Sequence, residues 1–167
     1  MANTFKKIAS LTAGSGGVAS FDFTGIPAVY SDLYVSLSAR SANSSNFDNP
    51  RIAINGSASG FSRLEFFSEN ASLGSEFVSD RIIGVCPAVN TVSNSFGALK
   101  LYLPNYVSGN NKAFSAFSTS QHNTSTPRAL WYLGGIWANT ATVSQITISL
   151  NTGANFVQYS TATLYGI

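Results

Sequence analysis

Leu33-Tyr-Val-Ser-Leu-Ser-Ala-Arg40 is the stretch that decides the fold. Leu33, Val35, Leu37 and Ala39 fall on one side of an extended chain. Tyr34, Ser36, Ser38 and Arg40 fall on the other. A period of two is the signature of a strand with one face against a core and the other toward solvent. The same alternation returns at Leu99, Leu101 and Leu103, at Ile146, Ile148 and Leu150, and at Phe21 and Phe23 around Asp22. A slip of one residue would expose each apolar row, so the pairing register is strongly specified.

Turn formers separate these runs: Gly14–Gly17, the Asn/Ser-rich stretch 41–50, Asn55-Gly56, Ser108–Asn111 and Thr152-Gly153. Glycine and asparagine tolerate the positive φ that tight hairpins need. Strands are predicted near 4–12, 17–23, 32–40, 50–55, 61–67, 77–86, 96–103, 112–119, 129–137, 144–150 and 158–166. No segment carries a sustained helical stripe. The expected fold is therefore all-β, a two-sheet antiparallel β-sandwich over a single domain 1–167, with a jelly roll as its specific form. An immunoglobulin-like sandwich is disfavoured, because its pattern of paired cysteines with a tryptophan is missing. The strand-like apolar segment Phe156–Ile167 is expected to be tied into a sheet and to close a self-contained domain.

Hydrophobic residues make up 44% of the 167 and aromatics 13%, which excludes a disordered chain. Charged residues make up only 10%, against about 25% in an average domain. The exterior must then be built largely from Ser, Thr, Asn and Gly. Such a surface suits a protein packed against others, or one that meets a neutral partner such as a glycan. The formal net charge is +2 and no basic run extends beyond Lys6-Lys7, so nucleic-acid binding is not expected. A single cysteine excludes an internal disulfide, and Cys86 within Ile82–Pro87 reads as a buried, inert thiol. Neither a secretory leader nor an apolar run of about 20 residues is apparent, so no membrane partner is expected. The four Asn-x-Ser/Thr sequons, at Asn43, Asn55, Asn70 and Asn123, read as chance products of Ser/Asn-rich loops.

Catalytic constellations are sparse. His122 is the sole histidine and sits in a polar, loop-like stretch, and no Gly-x-Ser-x-Gly turn presents a serine. Zinc needs three or four ligands that this composition does not supply. Glu65, Glu69, Glu76 and Asp80 are the carboxylates from which a glycosidase pair would be drawn. Asn46, Asp48 and Asn49 are the oxygens from which a calcium site would be drawn. The expectation is no enzyme, no cofactor and no metal. The sharpest local feature is aromatic, Trp131-Tyr132 followed by Trp137. Trp131 and Leu133 share one parity and Tyr132 the other. The tryptophans read either as core or as an exposed platform for sugar rings or a protein neighbour. Gly134-Gly135 predicts a bulge or a close backbone approach. Tyr102 and Tyr106 bracket Pro104-Asn105 and are candidates for an intersubunit contact. With Phe5 and Lys6 near the N-terminus, the candidate contact set is Phe5, Lys6, Tyr102, Tyr106, Trp131 and Trp137.

Several stretches together carry a resemblance. They are Phe5–Thr12 with Gly16-Gly17, Phe21–Pro27 with Tyr30–Leu33, Leu101–Tyr106 with Asn110–Lys112, Gly135–Thr140 and Tyr159–Ile167. Over nearly its whole length the chain resembles a family of small virion structural proteins of tailed bacteriophages, especially aquatic ones. The resemblance implies a capsid decoration, or cement, protein on the outer surface of the major capsid protein shell. It implies association with copies of itself, as a trimer, and a location on the virion exterior after synthesis in the host cytoplasm. The alternative is a tail or fibre component that binds host surface glycans. The absence of a coiled-coil shaft or a docking element favours decoration. The segment Ala2–Lys7 and the loop 41–50 are the expected contact elements.

Overall fold

A computed structural model describes residues 5–121 and 129–167. Its strands are β1 (Lys6–Thr12), β2 (Ser20–Thr24), β3 (Leu33–Ala39), β4 (Phe47–Asp48), β5 (Pro50–Ile54), β6 (Phe61–Glu69), β7 (Ser72–Val78), β8 (Cys86–Pro87), β9 (Gly97–Leu103), β10 (Lys112–Ser120), β11 (Ala129–Trp137), β12 (Gln145–Leu150) and β13 (Thr161–Gly166). The chain is all-β, as the alternation requires. Among the described residues no helix is long and apolar enough to cross a membrane.

The strands form a lopsided antiparallel sandwich. One sheet has eight strands in the order β1-β13-β3-β9-β10-β11-β6-β7. The other has three, β2-β12-β5, extended by the segment Arg81–Ile83, which bonds along β5 through Ile52 N–H to Arg81 O and Ile83 N–H to Pro50 O. A two-stranded ladder, β4-β8, sits beside them. The sandwich is as expected, but a jelly roll is not established by this unequal division.

The core lies between the sheets. Leu33, Val35 and Leu37 of β3 and Leu99, Leu101 and Leu103 of β9 face Phe21, Phe23, Ile146, Ile148 and Leu150 of the small sheet, all buried. Fully burying each of these side chains is worth about 1.5–3 kcal/mol, which fixes the register of every central strand.

Two hairpin turns show how local sequence sets the connections. At Asn55-Gly56 both residues have positive φ, 51° and 75°, the backbone that a two-residue hairpin uses. The Asn55 side chain also accepts hydrogen bonds from Ser144 N–H (2.9 Å) and Gln145 N–H (3.0 Å), pinning this turn to the start of β12. The β6–β7 turn places Asn70 and Ala71 at φ 51° and 70°. Alanine is costly in that region, by about 1–2 kcal/mol. Ala71→Gly is expected to raise stability by about 1 kcal/mol in chemical denaturation, with no change in the folded-state circular dichroism.

That turn corrects a boundary. Strands are expected at 61–67 and 77–86, but β6 and β7 run through the interval between them, and most of 77–86 is irregular. The missing cue is the absent glycine: Asn70-Ala71 does the work usually done by Asn-Gly.

Arg40 is a second correction. Strand parity would turn it outward with Tyr34 and Ser38, yet it is buried. β3 ends at Ala39, and the Arg40 guanidinium reaches into the segment 88–95. There it donates to the carbonyls of Val92 (2.8 Å) and Ser95 (3.1 Å) from Nη1, and of Val89 and Thr91 (both 3.3 Å) from Nη2. Burial lowers its pKa. Lys112 plays the same part for the turn after β9. Its buried ammonium donates to the carbonyls of Ser108 (2.7 Å) and Asn110 (2.5 Å), and burial lowers its pKa too. Two of the nine basic side chains thus hold loops instead of facing solvent.

Candidate interaction surface

Six residues were candidates for contact, and the fold divides them. Trp137 is fully buried, stacked on Phe61 with ring centroids 6.1 Å apart. Tyr106 is fully buried and donates its hydroxyl proton to Pro27 O. Trp131 is also buried; its indole N–H donates to Glu69 Oε1 (3.0 Å), and the Arg63 guanidinium lies 5.7 Å from its ring. These three are therefore corrected from surface contacts to interior residues. The reason is parity: Trp131, Leu133 and Trp137 occupy the inward positions of β11. The tryptophan platform for sugar rings goes with them.

Phe5, Lys6 and Tyr102 do reach the surface. Phe5 is exposed and packs edge-on against Tyr34 (centroids 5.2 Å) and Tyr165 (6.0 Å). Lys6 is exposed at the end of β1. Tyr102 is half-buried, and its hydroxyl donates to Asp32 Oδ2 at 2.6 Å. That hydrogen bond, then burial and the nearby carboxylate charge, raises the Tyr102 pKa. Ala2–Thr4, His122 and the sequon at Asn123 lie outside the described residues.

Parity buries the tryptophans and exposes their neighbours. On the outer face of the eight-stranded sheet, Tyr132 of β11 lies opposite Phe66 of β6 and Phe117 of β10. One row away Phe77 of β7 lies opposite Leu64, which faces Gly134 of β11. Phe66 is 61% exposed and Tyr132 58%; Leu64, Ile136 and Leu130 are exposed beside them. Farther along the same rows the face turns polar, with Lys100, Ser36, Thr163 and Ser10 continuing the row of Phe66, Tyr132 and Phe117. The outer face is thus apolar over β11, β6 and β7 and hydroxyl-rich over β3, β13 and β1.

Gly134 and Gly135 shape the apolar half. Pairing across β11 is continuous with both neighbours, so no bulge occurs there. Gly135 instead makes room for the Phe114 ring on the inward side, the close approach expected but made by a side chain. Gly134 faces outward over open space. It lines a shallow depression of about 400 Å³ bordered by Leu64, Phe77, Ala113 and Ile136. A hollow of this kind takes an apolar side chain from a docking partner.

Of the candidate carboxylates, Glu65, Glu69 and Asp80 have partners within the fold, while Glu76 is exposed on β7. Arg63 forms a bidentate pair with Asp80, Nε to Oδ1 at 2.5 Å and Nη2 to Oδ2 at 3.1 Å, and an ion pair with buried Glu65. Burial pulls the Asp80 pKa up, but the hydrogen bonds from Arg63 and from Ile82 N–H, with the Arg63 charge, bring it below its ordinary value. Asp48 is buried and accepts from the Ser41 and Thr152 hydroxyls at 2.7 and 2.6 Å. Ser41 and Asp48, inside the expected contact loop 41–50, are thus interior residues. Beside Asp48, Cys86 is sealed in the core, where burial raises its pKa and disfavours the thiolate.

What sequence reasoning missed is the outward row itself. Leu64, Phe66 and Tyr132 alternate with inward residues as apolar as they are, or with Arg63 and Glu65, so parity alone does not say which row meets solvent. No protein-family model matches this sequence, and a search of curated proteins finds no match.

Proposed function

We propose that the chain is a structural protein of a bacteriophage virion. In this reading it decorates the outer surface of the shell built by the major capsid protein and stabilises it. The observation that carries the docking part is the exposed apolar half of the large sheet, with Phe66 and Tyr132 at its centre and the Gly134 hollow beside them. Contiguous exposed apolar surface of this kind marks an interaction site. The sequence resemblance supplies the virion. The low charge content supports a surface that lies close to other protein without repulsion.

The mechanism is passive. A contact of standard size removes about 1,200–2,000 Å² of surface from water. Covering half-exposed Phe66, Tyr132, Leu64 and Ile136 contributes roughly 1 kcal/mol each. Single contacts would be modest, and repetition over a lattice makes them effective. The partner is protein; over β11, β6 and β7 the chemistry of this face is aromatic and aliphatic rather than ionic.

Two measurements test this. Densitometry of purified virions is expected to find on the order of hundreds of copies per particle, as lattice coverage implies. The Phe66→Asp/Tyr132→Asp variant is expected to keep its circular dichroism but to bind stripped shells at least about a hundredfold more weakly. A few copies per particle, or unchanged binding by that variant, would overturn the decoration reading. A few copies together with glycan binding that is lost in Tyr132→Ala would move the chain to the tail.

A further inference from the structure

The large sheet has two edges, and they are built differently. Edge strand β1 carries Lys6 and Lys7 and a register shift between Lys7 and Ala9. Charges and bulges of this sort keep an edge from pairing with another chain. Edge strand β7, Ser72-Leu-Gly-Ser-Glu-Phe-Val78, has neither proline nor bulge and a single charge. Its Leu73 is 87% exposed and its Phe77 69%.

The backbone of β7 is set for pairing. The two-residue turn at Asn70-Ala71 makes Glu69 and Ser72 the first hydrogen-bonded pair of the hairpin. Alternate residues then follow, so Gly74, Glu76 and Val78 turn their backbone groups to β6. Those of Leu73, Ser75 and Phe77 point away from the sheet.

We propose that β7 pairs antiparallel with β7 of a second copy, across a two-fold axis normal to the sheet at Ser75. That axis keeps the outer faces together, so Leu73, Ser75 and Phe77 can oppose only one another. Centred on Ser75, Leu73 meets the other copy's Phe77, Gly74 meets Glu76, and Ser72 meets Val78. All seven residues are paired, and both apolar side chains gain an apolar neighbour. Centring on Glu76 would set two carboxylates against each other, which is destabilising. Centring on Gly74 would leave Phe77 opposite the turn. The strand is self-complementary in one register, as an isologous contact requires. The pair joins two large sheets into one and brings two apolar faces into a single band. It is two-fold, unlike the trimer that the sequence resemblance implies.

Sedimentation of the full chain tests this. A dimer with a dissociation constant of about 10 μM or tighter is expected. Ser75→Pro removes an N–H aimed at the second copy and leaves the β6 ladder untouched; it and Leu73→Lys are each expected to weaken dimerisation at least about tenfold with unchanged circular dichroism. In the unaltered protein, the amides of Leu73, Ser75 and Phe77 are expected to gain hydrogen-exchange protection as concentration rises. A monomer throughout, a dimer indifferent to both substitutions, or a dimer whose three amides stay unprotected would overturn the proposal. These residues differ from Phe66 and Tyr132, so loss of the dimer leaves the virion-docking result to be read separately.

Discussion

Gly135→Ala is expected to destabilise the fold by about 2–3 kcal/mol, a drop of roughly 5–10 °C in Tm for a chain of this size. The added methyl would sit 2.6 and 2.8 Å from Phe114 Cε2 and Cε1, well inside contact distance. Phe114 is buried and packs against Phe61 (centroids 6.4 Å), which in turn stacks on fully buried Trp137. The ring therefore cannot retreat without moving its neighbours. Gly134→Ala is the control, since it faces open space and should cost under about 0.5 kcal/mol. Shortening the obstructing ring, Phe114→Leu, should cost less in the Gly135→Ala background than in the native chain. Urea denaturation of the native chain, the three single variants and the Gly135→Ala/Phe114→Leu double variant checks this, and equal costs at the two glycines would show that the inward approach is not tight.

Arg63→Met is expected to cost about 3–5 kcal/mol, because it strands buried Glu65 without its cation. It also frees Asp80 and removes the cation 5.7 Å from the Trp131 ring. The Arg63→Met/Glu65→Leu double variant is expected to recover most of that loss, since a charge-free pair of similar volume no longer carries a desolvation cost. A coupling of at least about 2 kcal/mol in the double-mutant cycle is the expected result. The pH dependence follows from Asp80. Its carboxyl is held below its ordinary value, so its contribution is present above the ordinary carboxylate range near pH 4 and is lost as pH falls through the lower, folded-state value. In Arg63→Met that part of the acid limb should flatten. Additive costs in the cycle would mean that Arg63 and Glu65 do not act as a pair.

Much of the architecture was legible because one physical rule governs it. Every central strand of the large sheet packs one face on the core, so period-two rows such as Leu33–Ala39 and Leu99–Leu103 announce both strand and inward side. Residues 129–137 and 50–54 match the expected bounds closely for that reason. What failed lacked a local cue. β7 is exposed almost throughout and has no buried row to reveal it. Arg40 is buried by carbonyls about fifty residues away that nothing nearby in the sequence indicates, and Lys112 folds back on the carbonyls of its own turn, which strand alternation does not reveal. Of the expected contact set, Phe5, Lys6 and Tyr102 lie at the surface and Tyr106, Trp131 and Trp137 in the interior. Trp131 and Trp137 attracted attention by their type, although side-chain parity in β11 had already placed Tyr132 on the other face. The Phe66 row of β6 was not seen, because Leu64, Phe66 and Phe67 look alike until the neighbouring strand is known.

The nesting of the sheet sets an order on biosynthesis. β13 lies between β1 and β3, so β1 has no neighbour in its sheet until residues 161–166 have been made. The meander β9–β10–β11 is local and can form while translation continues. Joining β1 to the sheet must wait for β13, and until then the nascent polypeptide presents an unfinished edge at β3. Close spacing of nascent chains on one message would put that edge within reach of its neighbours, the stage at which this fold is most open to mispairing.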